Sequence, residues 1–276
     1  MKQEYSRYAL TGASGGIGIA LALHYAAPGV ALELAGRDEQ VLSDLAQRCR
    51  EKGAEVTVST FDVRDERAFG DWIDGVTAKE DLHALILAAG VSASVRNEAS
   101  QVVPETQWDL ARQLDVNATS TILAANRAIG NLLRTRPKRQ CRIALIASVA
   151  ALTGLPSSPG YSASKAALVT YGQAMRRVCR GSGISVSVVL PGYVTSPMSR
   201  RFVGRKPFEM SAEKAAQIIA VRLEKNRFRI VFPRIVAIGI FLLECLPESL
   251  QAFFLKKFEF SVVPDREAQA RHRNDP

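Results

Sequence analysis

The chain has 276 residues, 47% hydrophobic and 23% charged, a balance that suits a soluble globular protein with one sizeable α/β core. Its formal net charge is +9; no recognised nucleic-acid motif or interleaved aromatic run accompanies the bases, so no nucleic-acid partner is expected, and solvated faces or anionic ligands and lipids account for them. Cys49, Cys141, Cys179 and Cys245 show no CxxC or other metal spacing and the three histidines lack ligand partners, so buried or incidental thiols in a reducing, cytoplasmic compartment are expected, and no metal.

The first twelve residues, MKQEYSRYALTG, hold no long apolar run, which argues against a secretory signal or anchor there. Beyond them, short apolar runs alternate with helical patterns, and this predicts an α/β fold with a doubly wound parallel sheet covered on both faces. Tyr8–Leu10 reads as the first strand. The turn Thr11-Gly-Ala-Ser-Gly-Gly-Ile-Gly18 follows, then a helix to about Ala27. Strands are expected over Val30–Ala35, Val56–Phe61 and Ala84–Ala88, with helices over Glu39–Lys52 and Asp65–Ala78 between them. One long helix should run from Pro104 to Arg134, followed by strand Arg142–Ala147. The next helix carries Tyr161 and extends to about Arg180, and Ser185–Leu190 is a sixth strand.

The glycines of the first turn, Gly12, Gly16 and Gly18, sit where a backbone must turn tightly or approach a ligand closely. A helix start behind them offers N–H groups and a positive dipole end to a pyrophosphate. No Gly-Lys-Ser/Thr follows, so a P-loop is ruled out. After the second strand, an acid favours NAD and an arginine favours the extra phosphate of NADP. Here the strand ends Gly36-Arg37-Asp38. Arg37 points to NADP rather than NAD, although Asp38 one step later keeps an acid in range. Tyr161 and Lys165, four apart on a helix, share a face. An ammonium beside a phenol favours the phenolate, and such a phenol can carry a proton to or from an oxygen. Ser148, at the carboxyl end of the Cys141–Ala147 strand, is placed to hydrogen-bond the same oxygen.

TGASGGIG (11–18), Asp62-Val63, Ala89-Gly90, Asn117, Ser148, YSASK (161–165) and PGYVTSPM (191–198) together resemble the short-chain dehydrogenase/reductase family over about residues 6 to 200. The resemblance implies a single Rossmann-like domain binding NAD(P) across the carboxyl ends of its strands, with homo-oligomers expected. It implies Tyr161 as acid/base, Ser148 as orienter of the substrate oxygen and Asn117 as holder of a relay water. Lys165 would bind the nicotinamide ribose and lower the pKa of Tyr161. Cofactor contacts would come from Gly12, Ser14, Gly15, Gly16, Ile17 and Gly18, from Arg37, Asp62, Val63, Ala89 and Gly90, and from Tyr161 and Lys165. Pro191, Gly192, Val194 and Ser196 would complete them on the nicotinamide side. Two positions depart: the family's Asn-Asn-Ala-Gly is Leu87-Ala-Ala-Gly90, and Ser196 replaces a threonine.

On this reading residues 1–228 form the catalytic nucleotide-binding body. Residues 229–262 add a final strand, Arg229–Pro233, and a helical apolar extension of the same domain, and 263–276 form a polar, disordered tail. The uncharged run Ile235–Leu243 has nine residues, too few for a span of about 20; two short helices broken at Pro247 fit it. Two accounts of the extension stay open. It can close an apolar substrate pocket or a subunit contact, or it can dip Ile238, Phe241, Leu242, Phe253, Phe254 and Phe258 into a membrane interface, with Lys256 and Lys257 near headgroups. The expected activity is NADP-dependent hydride transfer to or from a ketone or secondary alcohol of a hydrophobic substrate. The alternatives are a 3-oxoacyl-thioester reductase that meets an acidic carrier through Arg200, Arg201, Arg205 and Lys206, and a non-catalytic NADP(H)-binding sensor.

Overall fold

The computed structural model describes residues 6–98, 101–137, 139–256 and 261–263. Its centre is a parallel sheet of β1 (Ser6–Thr11), β2 (Val30–Gly36), β3 (Glu55–Thr60), β4 (Leu82–Leu87), β5 (Cys141–Ile146), β6 (Ile184–Pro191) and β7 (Arg229–Phe232). The strands lie in the order β7-β6-β5-β4-β1-β2-β3, the doubly wound arrangement. β5 and β6 are buried along their whole length. Strands covered on both faces tend toward apolar runs, and here the runs are broken only by the buried Arg142, Ser185 and Ser187.

Alternate residues of each strand point to opposite faces. From β4 and β5, Ala84, Ile86, Ala144 and Ile146 pack with α1 (Gly16–Tyr25), α2 (Glu39–Glu51) and α7 (Ala212–Glu224). Leu85, Leu87, Ile143 and Leu145 pack against α3 (Glu66–Thr77), α5 (Ser120–Thr135) and α6 (Pro159–Val178). Full burial of a leucine-sized side chain contributes roughly 1.5–3 kcal/mol, so two such layers hold the strand ends firmly in place.

The long helix expected over Pro104–Arg134 is not continuous. α4 (Gln107–Leu114) gives way to a π turn, Asp115–Thr119, before α5 begins. No glycine or proline marks the break; one inserted residue widens the helix while its apolar stripe continues. The extension is two helices, α8 (Arg234–Glu244) and α9 (Glu248–Lys256), with Pro247 between them. After them, Ser261–Val262 pairs antiparallel with Phe202–Val203, and Val262 N–H donates to Ser94 Oγ at 2.7 Å. Lys257, Phe258, the side chain of Lys256 and the tail from 264 onward lie outside the described residues.

Candidate active site

Strand order reverses between β1 and β4, which opens a crevice beyond the carboxyl ends of the strands. A cavity of about 1090 Å³ occupies it. Every residue expected to act in catalysis or to contact the cofactor lines this cavity except Asn117.

The glycine turn forms one end. Gly12 has φ +63, and a Cβ there would lie 2.7 Å from the main chain of Ala88 and Ala89. A Cβ on Gly18 would meet Gly12 O at 2.2 Å. Only bare backbone lets β1, the turn and the end of β4 approach so closely. Gly15 caps α1 without a side-chain hydrogen bond, so the helix start presents main-chain N–H groups to the cavity as an anion site would. The polar residues missing from Leu87-Ala-Ala-Gly90 are replaced from another strand. Thr11 Oγ1 accepts from Ala88 N at 3.1 Å and Ala89 N at 3.4 Å.

At the end of β2, Arg37 borders the cavity, its side chain 47% exposed and 3.9 Å from Asp62. Asp38 is occupied elsewhere: its carboxylate caps α2 by accepting from Val41 N at 3.0 Å. Asp62 accepts from the main chain of Arg64 at 2.9 Å and from its guanidinium at 2.9 and 3.1 Å. Burial pushes the Asp62 carboxyl up, but the Arg64 hydrogen bonds and the charges of Arg64 and Arg37 outweigh it and hold the carboxyl below its usual value.

At the other end, Ser148 follows β5 and Tyr161 stands in the first turn of α6, both on the cavity wall; Ser148 Oγ accepts from Ala150 N at 3.2 Å and donates to Pro191 O at 3.5 Å. Burial pushes the Tyr161 phenol above its ordinary value; the Ser148 hydroxyl lowers it and Tyr193 raises it further. The Lys165 ammonium is 5.8 Å from the phenol ring centre and donates to Ile146 O at 2.9 Å. Its own pKa is lowered to about 8 by burial, so its charge is itself held at a cost and the low-polarity setting decides the phenol. Asn117 stands on the π turn, fully buried. Its Nδ2 donates to Val91 O at 2.9 Å and Ser164 Oγ at 3.0 Å, while Oδ1 accepts from Val91 N at 2.8 Å. Both amide donors are spent on tying the segment after β4 to α6.

Sequence reasoning missed the support beneath Tyr161. Glu105 Oε2 accepts from Gly160 N at 2.9 Å and Oε1 from Gln113 Nε2 at 2.9 Å, and Gln113 Oε1 accepts from Ala93 N at 2.9 Å. The carboxylate thus caps α6 from outside, where Ser158 makes no side-chain cap. On the nicotinamide side, Ser196 Oγ accepts from Ser199 N at 3.0 Å, and a Cβ on Gly16 would touch Ser196 Cβ at 2.6 Å. Apart from Thr153, Ser199 and Arg201, the remaining wall is apolar: Leu155, Tyr193, Met198, Phe202 and Phe208, with Ile235, Val236, Ile240, Leu242, Leu243 and Leu246 of the extension and Phe254 and Leu255 of α9.

A family model described as short chain dehydrogenase matches residues 8–206. An uncharacterized oxidoreductase of Myxococcus xanthus is 26% identical over 251 residues, 90% of this chain and 96% of that protein. The 1-deoxy-11-beta-hydroxypentalenate dehydrogenase of Streptomyces exfoliatus is 30% identical over 225 residues, 79% of this chain and 80% of that one. Among solved structures, a short-chain dehydrogenase from Sphingobium yanoikuyae in complex with NADPH superposes with a TM-score of 0.71 at 22% identity, covering 88% of this chain and 97% of that one.

Proposed function

Because the chain belongs to the short chain dehydrogenase family and so is an NAD(P)-dependent oxidoreductase, we propose that it transfers a hydride between NADP and a ketone or secondary alcohol of an apolar substrate. The observation that carries this reading is that Ser148, Tyr161 and Lys165 meet on the wall of one cavity with a glycine turn at one end and an apolar extension at the other. When bound, the nicotinamide dinucleotide supplies or accepts the hydride. The cradle fits such a group: Gly12 and Gly18 leave room for no side chain, and the α1 start faces the cavity. Tyr161, held neutral by burial, donates a proton to the carbonyl oxygen at neutral pH, and Ser148 orients that oxygen. Lys165 holds the ribose end, and Asn117 keeps β4 and α6 in register.

Arg37 beside the cavity, with Asp38 engaged in capping, supports NADP over NAD. The apolar wall from the extension supports a hydrophobic substrate. Leu110, Leu114 and Leu123, 40%, 38% and 49% exposed on α4 and α5, supply a face for a homo-oligomer. Fluorescence titration with NADPH and NADH, followed by a screen of ketones and 3-oxoacyl thioesters for NADPH oxidation, tests the proposal. Tighter NADH binding would refute the cofactor assignment. NADPH binding without turnover of any carbonyl would make the protein a nucleotide sensor.

A further inference from the structure

Helix α8 is apolar on nearly every side, yet none of its residues is buried. Val236, Gly239, Ile240 and Leu243 line the cavity. At helical spacing the opposite side is Ile238 and Phe241, 58% and 68% exposed. Between the two sides stand Ile235 and Leu242, which line the cavity and are still 59% and 60% exposed. Apolar surface therefore runs unbroken from the outside of α8, over the rim, into the cavity. Patches of this kind on a water-soluble chain mark a contact.

The occupant follows from the rim. A second copy seated on Ile238 and Phe241 would also cover Ile235 and Leu242 and close the mouth to an apolar substrate. A lipid surface covers the same side chains and leaves the mouth open to the phase in which such a substrate dissolves. We propose that α8 docks the protein on the surface of a lipid bilayer, with the cavity mouth facing the acyl layer. The inference rests on the reading of the cavity as the seat of an apolar substrate. With 11 residues α8 is about 16 Å long, and among the described residues no helix is long and apolar enough to cross a membrane, so it lies in the interface. Arg234 precedes the patch in sequence, and Glu244 and Glu248 follow it. Local charge thus nearly cancels: insertion carries the binding, and the chain's net +9 adds a salt-sensitive preference for anionic lipid.

Flotation of the full chain with phosphatidylcholine vesicles, with and without phosphatidylglycerol, at low and high salt, tests this. It needs no turnover, so its failure is separable from failure of the oxidoreductase reading, which NADPH titration and carbonyl reduction report. The parent should float with both vesicle types, and more strongly with anionic vesicles at low salt. Ile238→Ser with Phe241→Ser, two side chains outside the cavity wall, should cut the bound fraction about tenfold or more at limiting lipid without changing NADPH affinity or sedimentation. A parent that does not float, a double variant that floats equally well, or one that sediments as a smaller species would overturn the proposal; the last would assign the face to a subunit contact. Should the double variant fail to fold, Phe241→Trp serves instead. Its emission, after subtraction of the parent's, should move to the blue with vesicles, and an unmoved emission is equally fatal.

Discussion

Replacing Lys165 by methionine separates what the lysine does for chemistry from what it costs the fold. The ammonium is 4% exposed and its pKa falls from the ordinary 10.5 to about 8 through burial. That drop corresponds to about 3 kcal/mol against the charged form in the folded protein. Between pH 8 and 10.5 the unfolded chain therefore binds more protons at this site than the folded one, so stability contributed by Lys165 rises with pH across that window. Below pH 8 the full penalty applies. Lys165→Met removes the penalty but also the donor to Ile146 O, whose orphaning costs roughly 1–3 kcal/mol, so the two proteins should be of similar stability at pH 7. The pH dependence is cleaner, because the lost hydrogen bond is the same at every pH. Chemical denaturation at pH 7 and pH 10.5 should show the parent gaining about 3 kcal/mol relative to the variant. Turnover should be lost and NADPH affinity weakened at both. A stability difference that stays constant with pH would mean that Lys165 is not a buried cation with a depressed pKa, and the electrostatic account of the site would fall with it.

Tyr161→Phe removes the proton carrier and little else. Carbonyl reduction should drop by at least ~10²-fold with NADPH affinity nearly intact, and steady-state rates beside a cofactor titration decide it. Arg37→Ala should weaken NADPH by roughly 1.5–3 kcal/mol, the scale of one charged hydrogen bond, and NADH far less; equal losses in measured dissociation constants would make Arg37 structural. Glu105→Ala leaves the buried Gly160 N–H without its acceptor, and should lower kcat by loosening the first turn of α6 while leaving the NADPH dissociation constant unchanged. If kcat holds in rapid-mixing measurements, the α6 start does not depend on that carboxylate.

The strands and the glycine turn were legible because their causes are local. A strand buried on both faces is rich in apolar residues, and a turn pressed against β4 can tolerate no Cβ at Gly12. The spacing of Tyr161 and Lys165 likewise announces a shared helix face. Where the folded chain departed from the sequence reading, the cause was a partner far along the chain. Glu105 reaches Gly160, Asn117 spends its amide on Val91 and Ser164, and Thr11 replaces the polar groups missing after β4. The lysine's spacing shows its neighbour four residues away, but not the carbonyl of Ile146, on β5, that also meets its ammonium. Density of Ile, Leu and Phe announced that the extension covers something; only its position across the cavity mouth separated the side chains that line the wall from those that face outward. Periodicity belongs to the chain, whereas the environment that sets a pKa or orients an amide is assembled from segments that meet only when the sheet closes.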